Sequence, residues 1–327
     1  MPAMNRLHID RALQGIAIAT VPVQKFIGTQ ILKTLPVMNA TDKYWIYTDG
    51  WNWDKAVQTG EVLYARANRS DYDRIDWDVS TSTYSTVEYG LEQAVDDAEQ
   101  ANADSPLDPL GSAASILRLK LMIAMERRIA ALAFDTSTTF SSYTATPAAK
   151  WDLDTADPYT DMITARQSMQ GAGTWDPVSN DLVLAMGQEV WDKVQKNPFV
   201  LDRIKYTSGA LNVTEDTFAR YMQADKVLVG GATYNSAKEG ATMDPAYVWG
   251  KYAGFYQVPK GRPGIGTPCV GFCPLWTKGN GGEAGTGMAV VRYRDETKNS
   301  WVVRVNHHTD EKVTQAASGY VFSAVVS

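Results

Sequence analysis

Residues 181–234 constrain the fold of this chain more than any other stretch. Leu182 to Met186 is a short apolar run closed by Gly187, the form of a buried strand. Gln188 to Lys196 then places Val190, Trp191 and Val194 on one face at helical spacing. Pro198 stops that helix because it pushes Asn197 out of the α region, and Pro198 to Thr207 reads as an extended linker. Thr214 can cap a second helix whose first turn carries Glu215 and Asp216, both favourable at a helix N-terminus. Phe218, Tyr221 and Met222 are spaced to face inward, and Lys226 to Ala232 is again a buried-strand run. The order is strand, helix, linker, short helix, strand. Such α/β patterns are common and fix layers rather than activity.

The flanking segments have their own signals. Asp108-Pro109 opens the longest helix, an aspartate cap followed by proline at the first helical position. Leu110, Leu117, Leu121, Met125, Ile129 and Leu132 form one apolar stripe, with Arg118, Lys120, Arg127 and Arg128 off it. The helix is expected over 108–135, about 26 residues and roughly 39 Å long. Asp157-Pro158 starts another by the same logic, followed by Met162, Ile163, Arg166 and Met169, with Gly171 as its stop. Residues 44–90 are aromatic and alternating: Ile75, Trp77 and Val79 alternate with Asp76, Asp78 and Ser80. Tyr44 to Trp53 and Glu61 to Ala67 supply partner strands, so a long β-ribbon is expected. Residues 1–43 carry Arg6, Arg11, Lys25, Lys33 and Lys43 against Asp10 and Asp42, a net of +3. Pro22 and Pro36 break that segment, which reads as an extended arm. The chain closes in β-rich sequence at Gly287 to Tyr293, Trp301 to Val305 and Tyr320 to Val326.

Composition narrows the function classes. A hydrophobic content of 44% supports a sizeable core in one or two packed domains, and a net charge of −6 argues against a dedicated nucleic-acid binder. Two cysteines exclude a disulfide scaffold and suit a reducing cytosol. No apolar run approaches the ~20 residues of a membrane helix. Asp10 and Gln14 interrupt any signal-peptide core near the N-terminus.

The Val190-Trp191, Asn197-Pro198 and Asp202-Arg203-Ile204-Lys205-Tyr206 wording resembles the axial domain of tailed-bacteriophage major capsid proteins of the Hong Kong 97 fold. The order of arm, ribbon, long helix, strand-and-helix, α/β domain and returning strands resembles the same family over nearly the whole chain. The family shares architecture more than fixed residues. The resemblance implies an α+β Hong Kong 97-type capsid fold. Residues 1–43 would be the N-terminal arm and 44–90 the extended β-hairpin E-loop. Residues 91–177 would form the peripheral domain with its spine helix at 108–135. Residues 178–290 would form the α/β axial domain, and 291–327 the return strands of the peripheral domain. It implies a coat protein, not an enzyme, that self-assembles into pentamers and hexamers. These would form an icosahedral or prolate head shell around double-stranded DNA. The expected partners are other copies, a portal, decoration proteins and packaged DNA held by non-specific contact, with no membrane. Some members carry a scaffolding segment before the arm; this chain has no room for one, so a separate scaffolding protein, or none, is expected. The expected location is the virion, after synthesis in the host cytoplasm. An encapsulin-like nanocompartment shell is the alternative within the fold, and a soluble cofactor-dependent enzyme the alternative outside it.

The chemical motifs are sparse. Gly279 to Ala284 matches a dinucleotide glycine pattern on paper but precedes strand-like sequence rather than a helix. It lies in the stretch 259–287, where thirteen of 29 residues are Gly or Pro, so chance matches are expected. That stretch is expected to be a loop outside the core, at a subunit junction or capsomer centre. Cys269, Phe272, Leu275 and Trp276 would be its apolar contacts on assembly. Cys269 and Cys273 lack two further zinc ligands, since His307 and His308 would point to opposite faces of a strand and His8 lies in the arm. They read as ordinary small apolar residues, with a local disulfide the lesser option. There is no G-x-S-x-G or H-E-x-x-H, and three histidines leave general-base chemistry few players. No catalytic, cofactor-binding or metal residue is assigned, and no cofactor is expected. Residues 71–108 hold eleven acids against Arg74, a net of −10. This is either a solvated face or an inter-subunit partner for basic patches. The candidate interface residues are Trp51, Trp53, Asp71, Asp73, Asp76, Trp77, Asp78, Phe272 and Trp276. Arg118, Lys120, Arg127 and Arg128 are the candidates for an inner basic surface.

Overall fold

The computed structural model describes residues 25–47, 68–69, 71, 79–103, 108–208, 213–238, 240–261, 267–278 and 287–327. A single helical turn, α1 (Gly28–Ile31), leads into β1 (Lys33–Val37). Next come β2 (Thr41–Tyr47), β3 (Val79–Ser85), β4 (Val87–Asp96) and a short α2 (Asp97–Ala101). The long helix α3 (Pro109–Ala133) follows, then β5 (Thr144–Ala145) and α4 (Pro158–Gly171). The unit first read from sequence folds as β6 (Asn180–Gly187), α5 (Gln188–Val194), α6 (Pro198–Ser208), α7 (Glu215–Tyr221) and β7 (Lys226–Gly230). A small hairpin, β8 (Thr233–Asn235) with β9 (Pro245–Tyr247), precedes β10 (Ala253–Pro259) and β11 (Gly271–Trp276). The remaining strands are β12 (Ala289–Asp295), β13 (Ser300–Thr309), β14 (Lys312–Val313) and β15 (Gly319–Phe322).

Two sheets organise the core. The first runs β5-β15-β10-β6-β7. Its central strands are apolar on both faces because both are covered. Leu182, Leu184 and Met186 of β6 and Phe255 of β10 pack with Met162, Val190, Trp191 and Phe218 of the helices α4, α5 and α7. Val183, Ala185, Tyr256 and Val258 face the other way, onto Ile27, Ile31, Ile129 and Trp249. The second sheet runs β1-β11-β13-β12, with β14 also on β11 and β4 also on β13. The first half of α3 lies on this sheet, where Leu110, Leu117 and Leu121 meet Val95, Val303 and Val305. Its second half turns to the first sheet. The Tyr256 hydroxyl donates to the Ala133 carbonyl at 2.6 Å and holds the end of α3 there.

Local signals explain the helix boundaries. The Asp108 carboxylate accepts from Leu110 N–H at 3.1 Å, and Asp157 does the same for Tyr159 at the start of α4. α3 has 25 residues, about 37 Å at the standard rise.

Four expectations change. Pro198 to Thr207 is not an extended linker: it lies in α6. Proline at the first position of a helix loses only an N–H that has no partner there anyway. Asn197 is the cap, its Oδ1 accepting from Phe199 N–H at 2.8 Å, while its amino group donates to the carbonyls of Trp151 (2.9 Å) and Ala156 (3.0 Å). The stretch 259–287 is not wholly a loop outside the core. Cys273 is fully buried and β11 lies between β1 and β13, with Pro274 opposite Leu35 and its carbonyl still accepting from Asp310 N–H. The end of the expected arm is not extended but packed: Ile27, Ile31 and Leu32 are at most 1% exposed, and β1 pairs in parallel with β11. The expected return strands divide: β12 and β13 join β4 in the second sheet, but β15 lies between β5 and β10 in the first.

Candidate assembly surfaces

The expected ribbon is visible at its base. β2 and β3 pair antiparallel from Thr41↔Ser85 to Tyr47↔Val79. Ser85 N–H donates to the Asp310 carboxylate, and Thr86 N–H to the Ala40 carbonyl, so the base is tied to the second sheet. Trp45 on this stem is 68% exposed, and Met38, between β1 and β2, is 76% exposed. Among the ribbon candidates only Asp71 is described, and it is exposed. Trp51, Trp53, Asp73, Asp76, Trp77 and Asp78 lie outside the described residues, as does the glycine run at 279–284.

Phe272 is 8% exposed and meets Tyr44 edge to face at 5.4 Å, so it is an internal contact rather than an interface residue. Trp276 is also used within the subunit. Its indole N–H donates to the Met38 carbonyl at 3.0 Å, and its ring stands against His308 at 5.1 Å. Cys269 and Cys273 are buried and free, and burial pushes both thiols up.

The four basic residues of α3 separate. Arg118 and Lys120 are exposed. Arg127 is exposed, with its guanidinium 4.0 Å above the Tyr234 ring. Arg128 is not available to an inner surface. It donates to Glu311 at 2.9 and 3.2 Å and lies 3.7 Å over the Tyr89 ring. Its Nη2 is also 3.3 Å from Nε2 of the fully buried His307. Burial first, then the charges of Arg128 and His308, holds the His307 pKa down at about 4. The ring is therefore neutral at pH 7 and can accept from Arg128.

One functional group was not singled out in the sequence. Glu126 is 3% exposed in α3 and accepts from Ile27 N–H (2.7 Å), Gly28 N–H (2.9 Å) and the Trp249 indole (2.8 Å). Burial raises its pKa above the usual carboxylate value, against the pull of those three donors. The contact fixes the start of α1 to α3 and both to the first sheet. Gly28 is required at this contact, since a Cβ there would stand 2.6 Å from Glu126 Oε2. The available signal was a lone acid in the otherwise apolar or basic run Leu121 to Ala133.

Among the described residues no cluster of His, Cys, Asp or Glu is placed to hold a metal, and no helix is long and apolar enough to cross a membrane. No family model matches the chain. A major capsid protein of Pseudomonas phage JBD67 is 22% identical over 250 residues, 76% of each chain. A phage-related protein from Bordetella bronchiseptica RB50 superposes with a TM-score of 0.67 at 21% identity, over 92% of both chains. The capsid structure of cyanophage P-SCSP1u gives a TM-score of 0.58 at 8% identity, over 94% of this chain and 90% of the other.

The chain has the tailed-phage capsid fold. The capsid fold is not confined to phages: the holo-SrpI encapsulin complex of Synechococcus elongatus PCC 7942 gives a TM-score of 0.52 at 13% identity, over 98% of both chains.

Proposed function

We propose that this chain is the major capsid subunit of a tailed phage. Copies associate in rings of five and six that close into an icosahedral or prolate shell around double-stranded DNA. The observation that carries this is the match of the whole fold to phage capsid chains, together with a major capsid protein among its sequence relatives. Heterologous contacts between identical subunits close into rings when the rotation permits, which is how one chain tiles a shell. In this reading the first sheet with α5 to α7 is the axial domain, and α3 with β4, β12 and β13 the peripheral domain. The helix α4, expected in the peripheral domain from the sequence, is moved to the axial domain because Met162 and Met169 pack with that sheet. The β2–β3 stem carries the E-loop. The loop's Trp51, Trp53, Asp73, Asp76, Trp77 and Asp78, with Asp71, cover a neighbour. Arg118 and Lys120 offer weak, salt-sensitive contact to packaged DNA. The work of the protein is structural rather than catalytic. In this reading the partners are a portal, decoration proteins and a separate scaffolding protein or none, and the subunit is made in the host cytoplasm before it enters the virion.

The encapsulin match supports a second reading, a nanocompartment shell that houses protein cargo. Electron microscopy of the purified protein, with the absorbance ratio of nucleic acid to protein, tests both. Closed shells rich in nucleic acid from infected or induced cells support the capsid reading. Closed shells with protein cargo and no nucleic acid support the nanocompartment. A monomer at high concentration with a folded stem refutes both.

A further inference from the structure

Successive residues of a strand face opposite ways, and β11 uses both faces. Cys273 and Leu275 are buried in the core. Phe272 and Trp276, at the alternate positions, meet the base of the β2–β3 stem. The Phe272 ring stands edge to face with Tyr44 of β2 at 5.4 Å. The Trp276 indole N–H donates to the Met38 carbonyl at 3.0 Å, where the chain turns from β1 into β2. Pro274, between them, holds a third group: its carbonyl accepts from Asp310 N–H at 3.2 Å. The Asp310 carboxylate accepts in turn from Ser85 N–H at 2.9 Å, at the end of β3.

The stem is thus held at both strands and on one face, from β11 and the turn after β13. Among the described residues, Ser85 to Asp310 is the one hydrogen bond from the paired strands Thr41–Tyr47 and Val79–Ser85 to a residue outside 38–86. From Ser85 to Val79 the stem runs roughly 20 Å at the usual strand rise. A tilt of about 10° at the base therefore moves its far end by roughly 3.5 Å, close to a whole contact distance between apolar side chains. A loosely held base would sample many angles. Association would have to remove that freedom, which weakens binding although no contact between copies is lost.

We propose that Phe272, Trp276 and Asp310 are positioning residues for assembly: they set the angle at which the stem leaves the second sheet. They thereby decide where residues 48–78, which the chain carries beyond the stem, meet a second copy. The inference rests on the capsid reading, in which the ribbon covers a neighbour. It gives Phe272 and Trp276 a part in assembly without contact to another copy.

The test separates aim from stability. Thr81→Cys on the stem and Ser112→Cys on α3, both at exposed positions, take spin labels in the free subunit, while Cys269 and Cys273 are buried. Pulsed electron resonance should give a narrow distance distribution with the base intact. Adding Asp310→Ala and Trp276→Phe removes both polar ties, and the distribution should broaden. Without the label sites, Asp310→Ala with Trp276→Phe should melt within about 3 °C of the wild type, because Ser85 is exposed and its N–H can turn to water. It should lower shell yield by about tenfold. Asp310→Asn keeps an acceptor oxygen for Ser85 and should assemble to within about threefold of the wild type. An unchanged distance distribution, or normal shells from the Asp310→Ala, Trp276→Phe chain, overturns the proposal and leaves the capsid reading intact. So does a melting temperature lower by about 10 °C or more, since the ties would then hold the fold rather than the aim. A wild-type chain that never forms rings or shells overturns the capsid reading and the role in assembly with it.

Discussion

Replacing Glu126 by Gln should destabilise the free subunit by about 1–2 kcal/mol, although the change removes a buried charge. The carboxylate accepts from Ile27, Gly28 and Trp249 with both of its oxygens. A glutamine that keeps Oε1 still accepts from Ile27 and Trp249 and turns its amino group toward Gly28 N–H, which then loses its nearer acceptor. Each buried donor left unmet costs about 1–3 kcal/mol, and relief of the carboxylate's burial offsets part of that. Unfolding entropy of about 2.1 cal/mol/K per residue makes 1 kcal/mol worth roughly 1.5 °C in a chain of this length. Calorimetry at pH 7 should therefore show a melting temperature lower by about 1.5–3 °C. The pH dependence has a definite sign. The folded-state pKa of Glu126 is raised by burial, so the folded state holds the proton more tightly than the unfolded one. The wild type gains stability from this group as pH falls through that value, and the glutamine variant does not. The gap between them should widen as pH falls toward the ordinary carboxylate range. A variant as stable as the wild type at pH 7, or a gap that narrows on acidification, would refute the account of Glu126 as the acceptor that holds α1 to α3.

Three further outcomes are expected. His307 has a folded pKa of about 4 against an ordinary value of 6.5. The unfolded chain therefore takes up the proton first, and stability is lost as pH falls from about 6.5 to 4, by up to about 3 kcal/mol; melting curves of His307→Gln over that window should be flatter than the wild type's. A double-mutant cycle of Arg128→Met and Glu311→Gln, read by urea denaturation, should give a coupling of about 1–2 kcal/mol, because Glu311 is 8% exposed and the pair is bidentate; additive effects would count against the clamp. Asn197→Ala removes the cap of α6 and leaves the Trp151 and Ala156 carbonyls without that donor, so it should lower stability by about 2–3 kcal/mol in the same assay.

The elements that could be read in the sequence were those whose signal is local. Asp108-Pro109 and Asp157-Pro158 carry cap and first-turn chemistry in adjacent residues, and both helices begin where that chemistry places them. Asn197-Pro198 carries the same chemistry, yet proline after a helical run was taken as a stop. It marks both the stop of α5 at Val194 and the start of α6 at Pro198, with three residues between them. The misreading of 259–287 has a different cause. Gly and Pro weaken an isolated strand, but β11 is held by neighbours on both sides and by the burial of Val270, Cys273 and Leu275. That information sits in residues 33–37 and 309–313, far away in the sequence. Glu126 could not be ranked from the sequence because all three of its donors are remote, two of them backbone groups. The basic residues of α3 could be found but not sorted: only the fold shows Arg128 turned to Glu311 and Arg127 turned to Tyr234.

Both sheets are joined by strands that are distant in the chain. Val321 lies beside Thr144, Lys33 beside Phe272, and Arg304 beside Glu92. Such pairings form only after long loops have closed, which makes folding slow by the standards of a chain this size. Until they form, β13 and β10 are open on both sides, and open strands join to whatever strand is nearest. Under the capsid reading proposed above, a shell needs its building block at high local concentration, which is the condition that makes wrong pairing fastest. Rate of synthesis, temperature and access to chaperones should therefore limit the yield of competent subunits before any contact between subunits does.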